Sequence, residues 1–122
     1  HFALYGKGTN AQSFLVKFDL GWKEVARWLD PPDLMAAING SSLSGGVWYQ
    51  GALLVTDHDN RFLYQLRLPA DGGALRCVEK QPSPFPGQGI ASDPKTGGLV
   101  GIDRKSKTVI FAVARKGAPA KQ

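Results

Sequence analysis

The hydrophobic positions of this chain fall in short continuous or alternating runs, not at helical spacing. Phe14-Leu15-Val16-Lys17-Phe18, Leu53-Leu54-Val55 and Phe62-Leu63-Tyr64-Gln65-Leu66 are each bounded by polar or glycine-bearing residues, which predicts strands joined by tight turns. Trp22-Lys23-Glu24-Val25-Ala26-Arg27-Trp28 and Leu75-Arg76-Cys77-Val78-Glu79-Lys80 alternate or nearly do, and predict outer strands. Gly45-Gly46-Val47-Trp48-Tyr49 and Gly89-Ile90-Ala91-Ser92-Asp93 are apolar segments opened by glycine. Joints rich in Gly, Pro and Asp separate these groups: Asp30-Pro31-Pro32-Asp33, Pro69-Ala70-Asp71-Gly72-Gly73 and Pro82-Ser83-Pro84-Phe85-Pro86-Gly87. The one helical segment, Pro32 to Ile38 with Asn39-Gly40 as its stop signal, has two turns and is expected to decorate a joint without forming a layer.

The runs recur. Shifted by 46 residues, Gly51 to Leu66 falls on Gly97 to Ala112, each reading strand, polar turn, strand. Shifted by 48, Phe14-Leu15-Val16-Lys17-Phe18 falls on Phe62-Leu63-Tyr64-Gln65-Leu66, with Tyr5 over Leu53. With the flanking runs, one unit is four short antiparallel strands. Such units at a spacing of roughly 40 to 50 residues are the mark of a β-propeller blade. The expected fold is therefore all-β, with four-stranded antiparallel propeller blades in an incomplete ring. Residues 1–30 form a partial blade without its first strand, and 31–43 a linker with the short helix. Residues 44–80 form a full blade, 81–115 a partial blade without its fourth strand, and 116–122 a flexible basic tail. The alternative is a small β-sandwich. About two and a half blades fall short of the roughly four to eight that close a ring, so the remaining blades, or another protein chain, are expected to complete it.

Gly89-Ile90-Ala91-Ser92-Asp93-Pro94, then Gly97-Gly98-Leu99-Val100-Gly101-Ile102-Asp103-Arg104, then Val109-Ile110-Phe111 resembles the NHL and gluconolactonase-like group of propellers, commonly six-bladed. That group shows a Gly-Ile-Ala-x-Asp opening, a glycine before the second strand and an aspartate at the following turn. Ser44 to Tyr64 looks like the same pattern. The resemblance implies a propeller, and for the gluconolactonase-like members a metal-dependent hydrolase whose ligands come from several blades. It also implies export to the periplasm or outside the cell, as in many members.

Composition adds limits. The 122 residues include 15 Gly and 8 Pro without a short period, which excludes collagen, and 43% hydrophobic residues argue against disorder. No window approaches the roughly 20 uninterrupted apolar residues of a membrane span. His1 opens the chain in place of Met, so a leader has been removed or was never there, or the chain is an excised piece. Cys77 is the single cysteine and excludes an internal disulfide; its alternating run predicts a small buried hydrophobe. The net charge of +5 is confined to the last quarter, because residues 1–92 hold eight Lys/Arg against eight Asp/Glu. The excess lies in one hairpin turn (Arg104, Lys105, Lys107) and the tail, which predicts solvated cations and no nucleic-acid surface.

Turn chemistry supplies the candidate site. Asp57 and Asp103 occupy matching places at the start of a turn, where a carboxylate accepts backbone N–H groups two and three residues on; both are read as structural. His58 matches Arg104 and Asp59 matches Lys105, so these positions diverge. In a propeller the turns 56–60 and 103–106 converge with the joints 41–44 and 84–88 on one face. The ligand-binding candidates are therefore His58, Asp59, Asn60, Arg104, Ser44 and Gln88. No catalytic residues are assigned: Gly-x-Ser-x-Gly is absent, and neither Gly6-Lys7-Gly8-Thr9 nor Gly72-Gly73 makes a phosphate loop. Asp57-His58-Asp59-Asn60 has metal-ligating residue types without calcium-loop spacing. No cofactor is expected, with a divalent metal on His58 and Asp59 under the hydrolase alternative. Trp22, Trp28 and Trp48 are expected to pack between blades. The function expected is a non-enzymatic scaffold that binds a small ligand or a protein; the alternative is part of a metal-dependent lactonase-like hydrolase or an isomerase whose site lies largely outside this chain.

Overall fold

The computed structural model describes residues 1–113. Among the described residues the fold is all-β: ten strands in three sheets, one short α-helix and one 3-10 turn, with none of the sheets closed into a barrel. In sheet A, β1 (Phe14–Phe18) pairs antiparallel with β2 (Glu24–Leu29). Helix α1 (Pro32–Ala37) follows. Sheet B is a four-stranded antiparallel meander of β3 (Leu43–Tyr49), β4 (Ala52–Asp57), β5 (Phe62–Arg67) and β7 (Arg76–Pro82). The two-residue β6 (Gly73–Ala74) leaves sheet B and joins β2 in parallel, Trp28 opposite Gly73. Sheet C is β8 (Ile90–Ser92), β9 (Leu99–Asp103) and β10 (Thr108–Ala112), again an antiparallel meander.

The apolar runs explain how the sheets stack. Successive side chains of a strand point to opposite faces, and β4 is buried along Leu53 to Asp57 without an exposed gap. Leu53 and Val55, with Tyr64 and Leu66 of β5, face Leu15, Ala26 and Trp28 of sheet A. Leu54 and Leu63 point the other way, onto Phe85, Ile90 and Leu99, with Ile110 and Ala112 beside them. The inner strands β4 and β5 of sheet B are thus covered on both faces, and the three sheets pack in chain order. Trp28 joins the first core and donates its indole N–H to the Pro69 carbonyl at 2.7 Å.

Four local expectations need correction. Tyr5 is not in a strand: the segment before β1 makes a single bridge, Phe2 to Phe14, and a 3-10 turn at Thr9–Gln12, because the connection there is longer than the other hairpin turns. The helix is no decoration. Leu34, Met35 and Ile38 belong to the first core and Met35 is 0% exposed, so α1 plugs the space between sheets A and B. Cys77 is exposed, since β7 is the outermost strand of sheet B and is solvent-facing along its whole length. Its Sγ lies 3.5 Å from the Glu79 carbonyl, and desolvation of the sulfur raises the thiol pKa. Trp22 and Trp48 are exposed as well, one in the β1–β2 turn and the other on edge strand β3. The expected tail, 116–122, lies outside the described residues.

Candidate functional site

The β4–β5 turn is built on Asp57. Its Oδ1 accepts the backbone N–H groups of Asp59 (3.0 Å) and Asn60 (2.6 Å), and its Oδ2 accepts the Asn60 amide (3.0 Å) and the Tyr64 hydroxyl (2.6 Å). Burial, then the hydrogen bond to Asp57, holds the Tyr64 phenol protonated far above its usual range. Asp103 repeats the arrangement in the β9–β10 turn, accepting the N–H groups of Lys105 (2.9 Å) and Ser106 (3.3 Å). Those donors, the Ser106 N–H first, pull the Asp103 pKa below its ordinary value. Both aspartates take the bonds expected of turn anchors.

Between these turns runs the joint 83–88. Gly87 has φ +79°, and a Cβ there would collide with the Asp57 carbonyl; a Cβ on Gly45 would collide with the Gln88 carbonyl. The joint therefore lies directly against the end of β4, fixed by a 3.0 Å hydrogen bond that the Thr56 hydroxyl donates to the Gln88 carbonyl. Gln88 adopts φ 130°, a conformation L side chains rarely take.

The result is an open groove of about 210 Å³ lined by residues of both turns and the joint. His58, Asp59, Gln88 and Arg104, four of the six candidates, meet there. Asn60 is spent on Asp57. Ser44 lies in a different cavity, between sheets A and B. Arg61 and Lys105, which are not among the six candidates, line the groove too. Arg61 donates to the Pro84 carbonyl at 3.0 Å and stands 3.7 Å from Asp103 Oδ2. Arg61 stands directly after the turn residues 56–60 and is reached by extending that turn by one residue, while Lys105 already lies in the turn comparison as the counterpart of Asp59.

His58 Nδ1 is 2.7 Å from Asp59 Oδ1, and the imidazole meets the Tyr5 ring edge-on at 6.1 Å between centroids. Among the described residues no three His, Cys, Asp or Glu side chains come together as a metal would require. Arg104 and Lys105 are exposed, and among the described residues neither takes part in an ion pair. The groove can thus offer two free cations, a histidine–carboxylate pair and the Gln88 amide to a polar partner. No helix among the described residues is long and apolar enough to cross a membrane. No protein-family model, no curated protein and no solved structure matches this chain.

Proposed function

We propose that the three sheets are consecutive blades of a β-propeller, and that the chain is a non-enzymatic scaffold whose turn-face groove receives an acidic segment of a partner protein. One observation carries the propeller reading: the inner strands of sheet B are buried on both faces, between sheets that precede and follow it in the chain. In a two-layer sandwich each sheet keeps one face to solvent. The offsets of 46 and 48 agree with the stacking, since Leu15, Leu63 and Val109 occupy matching places. Leu15 packs towards sheet B and Leu63 towards sheet C. Val109 then faces the place of a further blade, and is 59% exposed.

The groove supports a binding role because its cations are unspent while its frame is rigid. Asp57, Asp103 and Thr56 are used up in holding the turns and the joint. Arg104 and Lys105 are left to attract carboxylates, an exposed and therefore salt-sensitive attraction. Titrating a hexaglutamate peptide while following backbone amide shifts tests the reading. Shifts confined to residues 58–61, 87–88 and 103–105, and lost in the Arg104→Glu, Lys105→Glu double variant, are expected. Equal binding of a hexalysine peptide, or shifts scattered over the surface, would overturn it.

A further inference from the structure

Asp30 and Ser83 occupy the same place after their strands. Each begins a Pro-containing joint, and each donates its backbone N–H at 2.9 Å to the residue just before an inner strand, Asp30 to Ser13 and Ser83 to Arg61. Ser83 uses its side chain locally, its Oγ accepting the Phe85 N–H at 2.9 Å. Asp30 does not: it neither caps α1 nor anchors a turn. Its carboxylate is 0% exposed, with Oδ2 2.9 Å from His1 Nε2 and Oδ1 without a hydrogen-bond partner among the described residues.

Asp30 lines a cavity of about 150 Å³ between sheets A and B, with His1 and Ser44 as its other polar side chains. The Ser44 hydroxyl is also buried and unpartnered. The remaining wall is apolar, including Leu15, Leu53, Leu66 and Leu75. Burying a carboxylate and a hydroxyl unsatisfied costs on the order of 1–3 kcal/mol each or more, so the pair marks a place where donors are missing. A single water, at roughly 30 Å³, would leave most of the leucine-lined space empty. A ligand with a donor head and an apolar body fills both needs, and an ammonium adds to the positive charge that the chain's own amino terminus already sets near this carboxylate.

We propose that this cavity binds a small primary amine with an apolar body of about the size of benzene, its ammonium held by Asp30 and Ser44 and its body by the leucines. A cavity of this volume holds roughly one benzene ring in other proteins. The site is separate from the turn-face groove, and it stands whether or not the sheets belong to a ring.

Benzylamine is the probe, with benzyl alcohol as its neutral counterpart, followed by the methyl shifts of Leu15, Leu53 and Leu66. Saturable shifts at those methyls are expected with benzylamine, at least ten-fold weaker with benzyl alcohol. Asp30→Asn should weaken benzylamine ten-fold or more, and Ser44→Ala a few-fold. Leu53→Phe, which fills the cavity and leaves Asp30 in place, should abolish binding and decides the matter if Asp30→Asn does not fold. Equal binding of alcohol and amine, no saturable shift at those methyls, or undiminished binding in Leu53→Phe would overturn the proposal.

Discussion

Asp57 and Asp103 make the same turn in different surroundings, and that difference sets what their removal costs. Asp57 is fully buried, so Asp57→Ala strands the buried Tyr64 hydroxyl and removes the acceptor of three part-buried donors, the N–H groups of Asp59 and Asn60 and the Asn60 amide. An orphaned buried donor costs about 1–3 kcal/mol, so a loss of roughly 3 kcal/mol and a marked drop in melting temperature are expected. Asp103→Ala frees donors that water can reach, and should lower the melting temperature much less; a thermal scan of both variants compares them directly. Asp30 gives a second prediction at this scale. Burial raises its pKa from 3.8 to about 6, so the folded chain binds a proton more tightly than the unfolded chain. Stability is therefore greatest below the unfolded pKa and is lost as pH rises through about 4 to 6. Denaturant midpoints across that range should fall for the parent protein and stay flat over that interval for Asp30→Asn. The anchoring role of Asp57 was legible in its position at the head of a polar turn. The isolation of Asp30 was not, because a Pro-flanked aspartate reads as joint chemistry until the fold shows which of its oxygens has a partner.

At the scale of elements, the period-two runs were enough to place the strands of sheets B and C, since a strand buried on alternate or both faces leaves its mark in the chain itself. What escaped was set by packing at a distance. The Leu75 to Lys80 run alternates well, yet Cys77 lies on the outermost strand, and nothing in a strand's own pattern says whether a neighbour will cover it. The parallel pairing of β6 with β2 joins residues 45 positions apart through two residues only, too few to carry a pattern. Helix α1 is the clearest case. Its two turns carry too little periodicity to announce a role, but Leu34, Met35 and Ile38 close the space that the longer connection before β1 leaves open. Met35→Ala should therefore cost about 2–5 kcal/mol, the range for a fully buried large side chain. An exposed decoration would lose almost nothing, so urea denaturation of this one variant separates the two roles.

At the scale of the molecule, the stack has two unlike ends, and the forward one is the more exposed. On sheet C the side chains facing away from sheet B include Ile102, Val109 and Phe111, with Val109 opposite Ile102 across the strand pair and Phe111 66% exposed. The matching places in sheet B under the 46-residue offset are Thr56, Leu63 and Gln65, of which Thr56 and Leu63 are buried. A face covered in sheet B is thus bare in sheet C, and single exposed hydrophobics carry no such meaning where a contiguous set does. The opposite end of the stack, sheet A, turns outward Phe14, stacked on Phe2 and overlaid by the Arg27 guanidinium at 4.3 Å, together with Leu29. Two apolar ends of opposite sense let one copy's forward face meet another copy's rear face, a head-to-tail contact that leaves both outer ends free to continue. Sedimentation velocity of this chain should accordingly show association that rises with concentration. Phe111→Lys and Val109→Lys should abolish it by placing an ammonium in the contact, while the melting temperature of the dilute protein stays nearly unchanged, because neither side chain is buried within one copy. A monomer at all concentrations, or lysine variants that associate like the parent, would show that the forward face is not a surface for a second copy.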